Sequence, residues 1–116
     1  FDVNTQSLVT VLDLGGRTDA NKTINMHAAV ARQTATPKRF ATVPWAMALK
    51  RTADEGYVVS AASNVLVKLR FNPQNGETSV VNDPANPARV LQLPTGKNPR
   101  GIVITANDQR AFVMNQ

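Results

Sequence analysis

Cysteine is absent from this 116-residue chain, which excludes disulfides, thiolate metal sites, cysteine nucleophiles and covalently attached c-type haem within these residues. Histidine occurs once, at His27, so the sequence alone assembles no imidazole cluster for a metal or a proton relay. Only six aromatic residues are present, Trp45 being the one tryptophan, a thin supply for a self-sufficient core. No apolar run approaches the roughly 18–20 residues of a membrane-spanning helix. No G-x-S-x-G elbow, Walker loop or His-Glu-x-x-His helix occurs, which removes the sequence marks of the common nucleophile, nucleotide and zinc sites. Phe1 is followed by Asp2 and strand-like sequence rather than a signal peptide, and a start in mid-motif reads as an excerpt of a longer polypeptide.

Acidic residues are also scarce, eight against thirteen Lys and Arg, for a net charge of +5. The excess is local. Residues 17–51 hold Arg17, Lys22, Arg32, Lys38, Arg39, Lys50 and Arg51 against Asp19 alone. Such a segment suits an anionic or acidic protein partner, or is a solvated loop. No recognition motif or set of stacking aromatics accompanies the charge, so nucleic acid is not the expected partner.

What the sequence does have is an internal echo. "PWAMALKRTADEGYVVS" (44–60) aligns without a gap on "PRGIVITANDQRAFVMN" (99–115) at an offset of 55. Pro44 falls on Pro99, Met47 to Leu49 on Ile102 to Ile104, and Tyr57 to Ser60 on Phe112 to Asn115. A third, truncated copy opens the chain: Phe1, Val3 and Asn4 match Tyr57, Val59 and Ser60 at an offset of 56, which also carries Val9 onto Val65 and Val11 onto Val67. A fixed period of this size marks a repeat architecture.

Short apolar runs bounded by Pro, Asn and Gly predict strands over 44–50, 55–60, 64–71, and a fourth over 78–81 or 89–93. "NPQNGE" (72–77) predicts a turn, and the two prolines of "NDPANPA" (82–88) predict a loop. Four antiparallel strands per repeat describe a β-propeller blade, which needs neighbours to bury both faces. The expected class is all-β, a partial propeller of four-stranded antiparallel sheets. Residues 1–14 end one blade, 15–40 are a loop and short-helix insertion, 41–93 form a full blade, and 94–116 begin the next.

"LPTGKNPRGIVITANDQRAFVMN" resembles the junction between blades in YVTN-type β-propeller repeats. The family pattern, G-x-x-P-x-G, an apolar triplet, a polar turn and an aromatic-Val-x-Asn strand, falls here on Gly96, Pro99, Gly101, Ile102 to Ile104, Asn107 to Arg110, and Phe112 to Asn115. The following Ser-x-x-Val-x-Val-x-Asp-Leu strand is similar to Ser7, Val9, Val11, Asp13 and Leu14, whereas residues 15–40 have no counterpart. The resemblance implies that Gly96, Lys97, Pro99, Arg100 and Gly101 link blades and that Trp45, Tyr57 and Phe112 pack between them. More loosely, the stretch is similar to propeller modules found with periplasmic c-type cytochromes and di-haem peroxidase-like proteins. That similarity implies a periplasmic or extracellular location, with haem in the parent chain or in a cytochrome partner.

Within 15–40, "INMHAAVARQ" predicts a short helix with Met26, Ala29 and Val30 on one face. His27 is the one candidate metal or catalytic side chain, although neighbouring Met26 points elsewhere on a helix. The expected interaction surface is Arg17, Lys22, His27, Arg32, Lys38 and Arg39. Asp54 and Glu55 are an adjacent carboxylate pair in an expected hairpin turn, where solvation is the ordinary state, and Asn21-Lys22-Thr23 is a sequon in a loop. The function expected first is a non-catalytic scaffold that packs against the remaining blades and a protein partner, with no cofactor among these residues. The alternatives are a haem-dependent redox role and a lactonase-like propeller hydrolase.

Overall fold

The computed structural model describes residues 6–116. Phe1, Val3 and Asn4, which the sequence aligns on the Tyr57 strand, lie outside them. The chain is mostly β with one short helix. In order it runs β1 (Leu8–Val9), β2 (Leu12–Asp13), β3 (Thr18–Asp19), β4 (Ile24–Asn25), α1 (Met26–Arg32), β5 (Pro44–Leu49), β6 (Glu55–Ser60), β7 (Val65–Phe71), β8 (Thr78–Val80), β9 (Asn82–Asp83), β10 (Asn86–Val90), β11 (Gln92–Pro94), β12 (Pro99–Ile104) and β13 (Ala111–Asn115). Among the described residues no helix is long and apolar enough to cross a membrane.

The central sheet is β5–β6–β7, antiparallel throughout, with β8 and β11 sharing the outer edge of β7. Leu69 to Phe71 pair with Val80 to Thr78, and Val65 to Val67 pair with Pro94 to Gln92. Between them the Val81 N–H donates to the Lys68 carbonyl at 3.0 Å, and the Leu91 N–H donates to the Val81 carbonyl at 2.9 Å. The two candidates for a fourth strand are thus halves of one strand that leaves the sheet after Val81 and returns at Gln92. The excursion is itself a hairpin of β9 and β10. This corrects the loop expected over 82–88. Pro87 is tolerated there because it is exposed and lies in the bulge between the Asn86–Asp83 and Val90–Asn82 pairings.

The N-terminal segment holds two short antiparallel ladders. β1 and β2 pair with β4 and β3, Leu8 opposite Asn25 and Leu12 opposite Asp19. Within residues 15–40 the structure holds β3, β4 and the short helix expected there, α1. Hydrogen-bond directions also correct the alignment. Met26 N–H donates to Ser7 and Ala20 N–H to Val11, as Thr95 N–H donates to Asn64 and Val81 N–H to Lys68. Ser7 thus stands where Asn64 stands and Val11 where Lys68 stands, an offset of 57 (64 − 7 and 68 − 11) rather than 56. A slip of one residue moves every side chain to the other face.

The β5–β6 and β12–β13 hairpins match position by position at 55. Pro44 faces Ser60 and Pro99 faces Asn115, each followed by a bulge, after which Ala46 faces Val59 and Gly101 faces Met114. Lys50 N–H donates to the Glu55 carbonyl and Thr105 N–H to the Arg110 carbonyl, both at 2.9 Å. Each hairpin is entered through a residue in the left-handed region, Val43 (φ 54) and Asn98 (φ 51), whose carbonyls accept from Ala61 and Gln116.

Cross-strand partners share a face. One face of the central sheet carries Met47, Leu49, Val58, Val67 and Leu69, the other Ala48, Tyr57, Val59, Leu66 and Lys68. On the first, Met26 and Val30 of α1, with Ala41 and Val90, bury Val58, Val67 and Leu69. Val9 packs on the same cluster. α1 begins where Asn25 caps it, its side-chain oxygen accepting from the Ala28 N–H at 2.9 Å. On the second face Val59 and Leu66 are buried, and β12 lies along β5 and β6 without pairing to either.

Because Met26 is 1% exposed at the join of helix and sheet, Met26→Ala costs about 2–4 kcal/mol in a urea titration. Leu14→Ala, at an 83% exposed position, is neutral within about 0.5 kcal/mol. Val43 is β-branched at positive φ and half-exposed, so Val43→Asn, the residue its counterpart Asn98 already is, stabilises by about 1 kcal/mol in the same titration.

Candidate functional site

The junction of the two hairpins is built from matched positions. Arg100, the counterpart of Trp45, lays its guanidinium over the indole with its carbon 4.0 Å from the ring centroid. It is held there by donating Nε–H to the Asn98 side-chain oxygen at 3.0 Å. Trp45 is still 56% exposed, its ring covered on one side by a cation rather than buried. The Asn64 side-chain oxygen accepts from the Asn98 N–H at 2.7 Å, tying the linker to the β6–β7 turn. Pro99 is buried while Gly96 and Lys97 are exposed. A Cβ on Gly101 would meet the Met114 side chain at 3.2 Å, which fits the small residue to the bulge. Tyr57 is half-buried and Phe112 is 64% exposed.

At the other end Asp108 reaches across. Its carboxylate accepts from the Arg51 N–H at 2.9 Å, from the Thr52 N–H at 2.7 Å, and from the Thr52 hydroxyl. The Thr52 hydroxyl bond, with the backbone donors, holds Asp108 below the ordinary carboxylate range.

Glu55 is not the solvated turn residue that its sequence position suggests; Asp54 is. The Glu55 side chain is largely buried and has Lys50 at 2.9 Å, Lys68 at 3.1 Å and Arg70 at 3.4 Å. Register explains the set, because Arg70 faces Glu55 across the strands and Lys68 is the next position on that face. Lys50 lies beyond the turn. The hydrogen bond from Lys50, reinforced by Lys68, outweighs burial and lowers the Glu55 pKa to about 2. The same bond raises Lys50. A carboxylate this acidic keeps its charge at neutral pH and serves as an electrostatic staple, not as a proton donor.

The basic residues expected to share one surface are dispersed in role. Lys22 pairs with Glu77, and Lys38 donates its Nζ to the Ala31 carbonyl in the last turn of α1 at 2.7 Å. Arg17, Arg32 and Arg39 are exposed. His27 stacks on Phe40, ring centroids 4.3 Å apart and planes 19° from parallel, and among the described residues no group of three His, Asp or Glu could hold a metal ion. Its ring therefore packs the helix against the segment that follows.

The concavity beside α1 is a cleft of about 700 Å³ between β4, α1, β8 and the β9–β10 excursion. Asn25, Arg32, Gln33, Ser79 and Asn82 line it. Gln33 braces one wall, its side-chain oxygen accepting from the Val90 N–H at 3.1 Å, while Thr34 and Ala35 N–H groups donate to the Ala88 carbonyl. One cation and several amides and hydroxyls on a firm wall suit an extended polar segment. The wall from β9 and β10 was hidden in the sequence by its prolines.

The Glu55 carboxyl is depressed in the folded state, so its contribution is present above the ordinary value of 4.5 and is lost as pH falls toward about 2. Glu55→Gln lowers stability at pH 7 by about 1–2 kcal/mol and flattens the acid limb of a plot of denaturation midpoint against pH. Comparison with known proteins gives no match: no family model fits the sequence, and no curated protein or solved structure matches it.

Proposed function

We propose that the chain is a stretch of a β-propeller of YVTN-type repeats that acts as a non-catalytic scaffold in a larger extracytoplasmic protein and holds a partner in the cleft beside α1. The observation carrying this reading is the hairpin equivalence at 55, in which bulge, left-handed entry residue and turn-closing bond all coincide. Stacked antiparallel units with that identity of backbone are what a propeller requires. Features that recur lie at the junctions. Features that occur once, α1 and the 82–91 excursion, build the cleft. Recurrent geometry supports a frame, and single additions to a frame are where partner specificity is placed.

The test is the intact mass of the native polypeptide, read with its absorption spectrum and negative-stain images. The expected result is ring-shaped particles, from one chain several-fold heavier than 12.5 kDa or from assembled copies, without a Soret band. Particles with no ring sink the propeller reading. Rings with a Soret band would replace the scaffold by the haem-linked redox role.

A further inference from the structure

β8 lies at the outer edge of the central sheet, paired with β7 on one side only. Its register decides which backbone groups are left over. Val81 N–H donates to the Lys68 carbonyl and Asn72 N–H to the Glu77 carbonyl, so the bonded pairs are 68 with 81, 70 with 79 and 72 with 77. Thr78 and Val80 alternate with these, and their N–H and C=O groups therefore point away from β7. Among the described residues no backbone bond from outside the sheet reaches them. Thr78, Ser79 and Val80 also carry none of the charges, prolines or bulges that ordinarily guard an open edge.

That edge opens into the cleft beside α1. Side chains of consecutive strand residues alternate between faces, yet Thr78, Ser79 and Val80 all line the cleft, so it is the backbone edge that meets it. Both walls are interior to the chain, and the width between them is fixed at each end. The Lys22–Glu77 ion pair joins the segments that lead into β4 and β8. At the other end Gln33 ties the end of α1 to Val90. A slot held from both ends spares an incoming chain the cost of ordering it. Its lining contains one charged residue, Arg32, and no carboxylate. Arg32 is exposed, and among the described residues it makes no ion pair.

We infer that the partner held in this cleft is an extended peptide segment with one acidic side chain, added as a strand to the open edge of β8. This rests on the scaffold reading, whose cleft it fills. The backbone of the segment bonds the free N–H and C=O groups of Thr78 and Val80, which gives affinity with little regard to sequence. Its carboxylate meets the Arg32 guanidinium, which selects the acid. β8 offers about 10 Å of edge, so the ladder is short and the charge contact carries a large share of the specificity.

Short random peptides displayed on phage are selected against the native polypeptide, and those that bind are synthesised. The expected peptides alternate β-forming residues around one Asp or Glu. N-methylation of every second peptide residue weakens binding about tenfold or more, while the residues between tolerate it, because a strand presents only alternate N–H groups to its neighbour. Thr78→Pro removes an outward donor and no bond to β7, and weakens binding by a similar factor with an unchanged circular dichroism spectrum. Arg32→Gln reduces the preference for an acidic peptide over its amide analogue to about twofold or less. Selected peptides without an acidic residue, or binding indifferent to the N-methylation pattern, overturn the inference. So does self-association of the polypeptide that Thr78→Pro abolishes, which makes a second copy the occupant. Asn82→Ala, in the cleft but off the edge, separates the inference from the scaffold reading. Peptides weakened by that change alone overturn the added strand and leave the cleft as the partner site. No peptide bound in the cleft overturns both.

Discussion

The pairing of β6 with β7 over six consecutive residues is the constraint on which the rest depends. It decides which side chains meet α1 and which meet the second hairpin, because side chains alternate along a strand and partners share a face. Val58, Val67 and Leu69 fall on the helix side, Val59 and Leu66 on the other. Both sets are nearly dry. A slip by one residue would exchange two apolar sets of similar size, so burial alone penalises it weakly. What forbids the slip is polar. It would carry Lys68 into the cluster under α1 and separate Glu55 from Lys68 and Arg70, leaving charges without partners in a poorly solvated place.

The same physics explains how much was legible. The 55-residue echo could be read because the hairpin entry makes demands that few residues meet: a proline, a small residue at the bulge, and a polar turn. The N-terminal offset is one residue larger than the apolar pattern suggests, for the opposite reason. "SLVTVLDL" carries apolar residues on both faces, so alternation does not choose between two registers. Hydrogen-bond direction does choose, and a sequence does not display it. The outer strand was hard to see because it is interrupted. In the N-terminal segment the four residues 20–23 separate β3 from β4; beside the central sheet residues 81–91 separate β8 from β11. A hairpin extruded from a strand has the composition of a loop.

Glu55 shows why charges are harder to place than strands. Its neighbours Lys68 and Arg70 are more than ten residues away in sequence, and only the register brings them to it. Once there, their effect is large, since a carboxylate shielded from water but given three cations is ionised far below its ordinary range. At an offset of 55 the cluster has no echo: Glu55 becomes Arg110 and Lys50 becomes Thr105. The turn is nonetheless closed by the same backbone bond in both hairpins. Backbone closure is therefore the shared requirement, and the side chains above it are free to differ.

That freedom is used between the two hairpins as well. Asp108, in the second turn, accepts from the backbone of the first turn at Arg51 and Thr52, whereas its counterpart Ala53 has no side chain that could reach a neighbour. Arg100 likewise covers Trp45, and the two occupy one structural position in successive hairpins. Matched backbones with unlike side chains make the two hairpins distinguishable at their contact. Two hairpins with identical contacting residues could exchange places at little cost, while unlike charge and aromatic content penalises the exchange. The frame of each hairpin thus lies in the residues the two share, and the contact between them in those they do not.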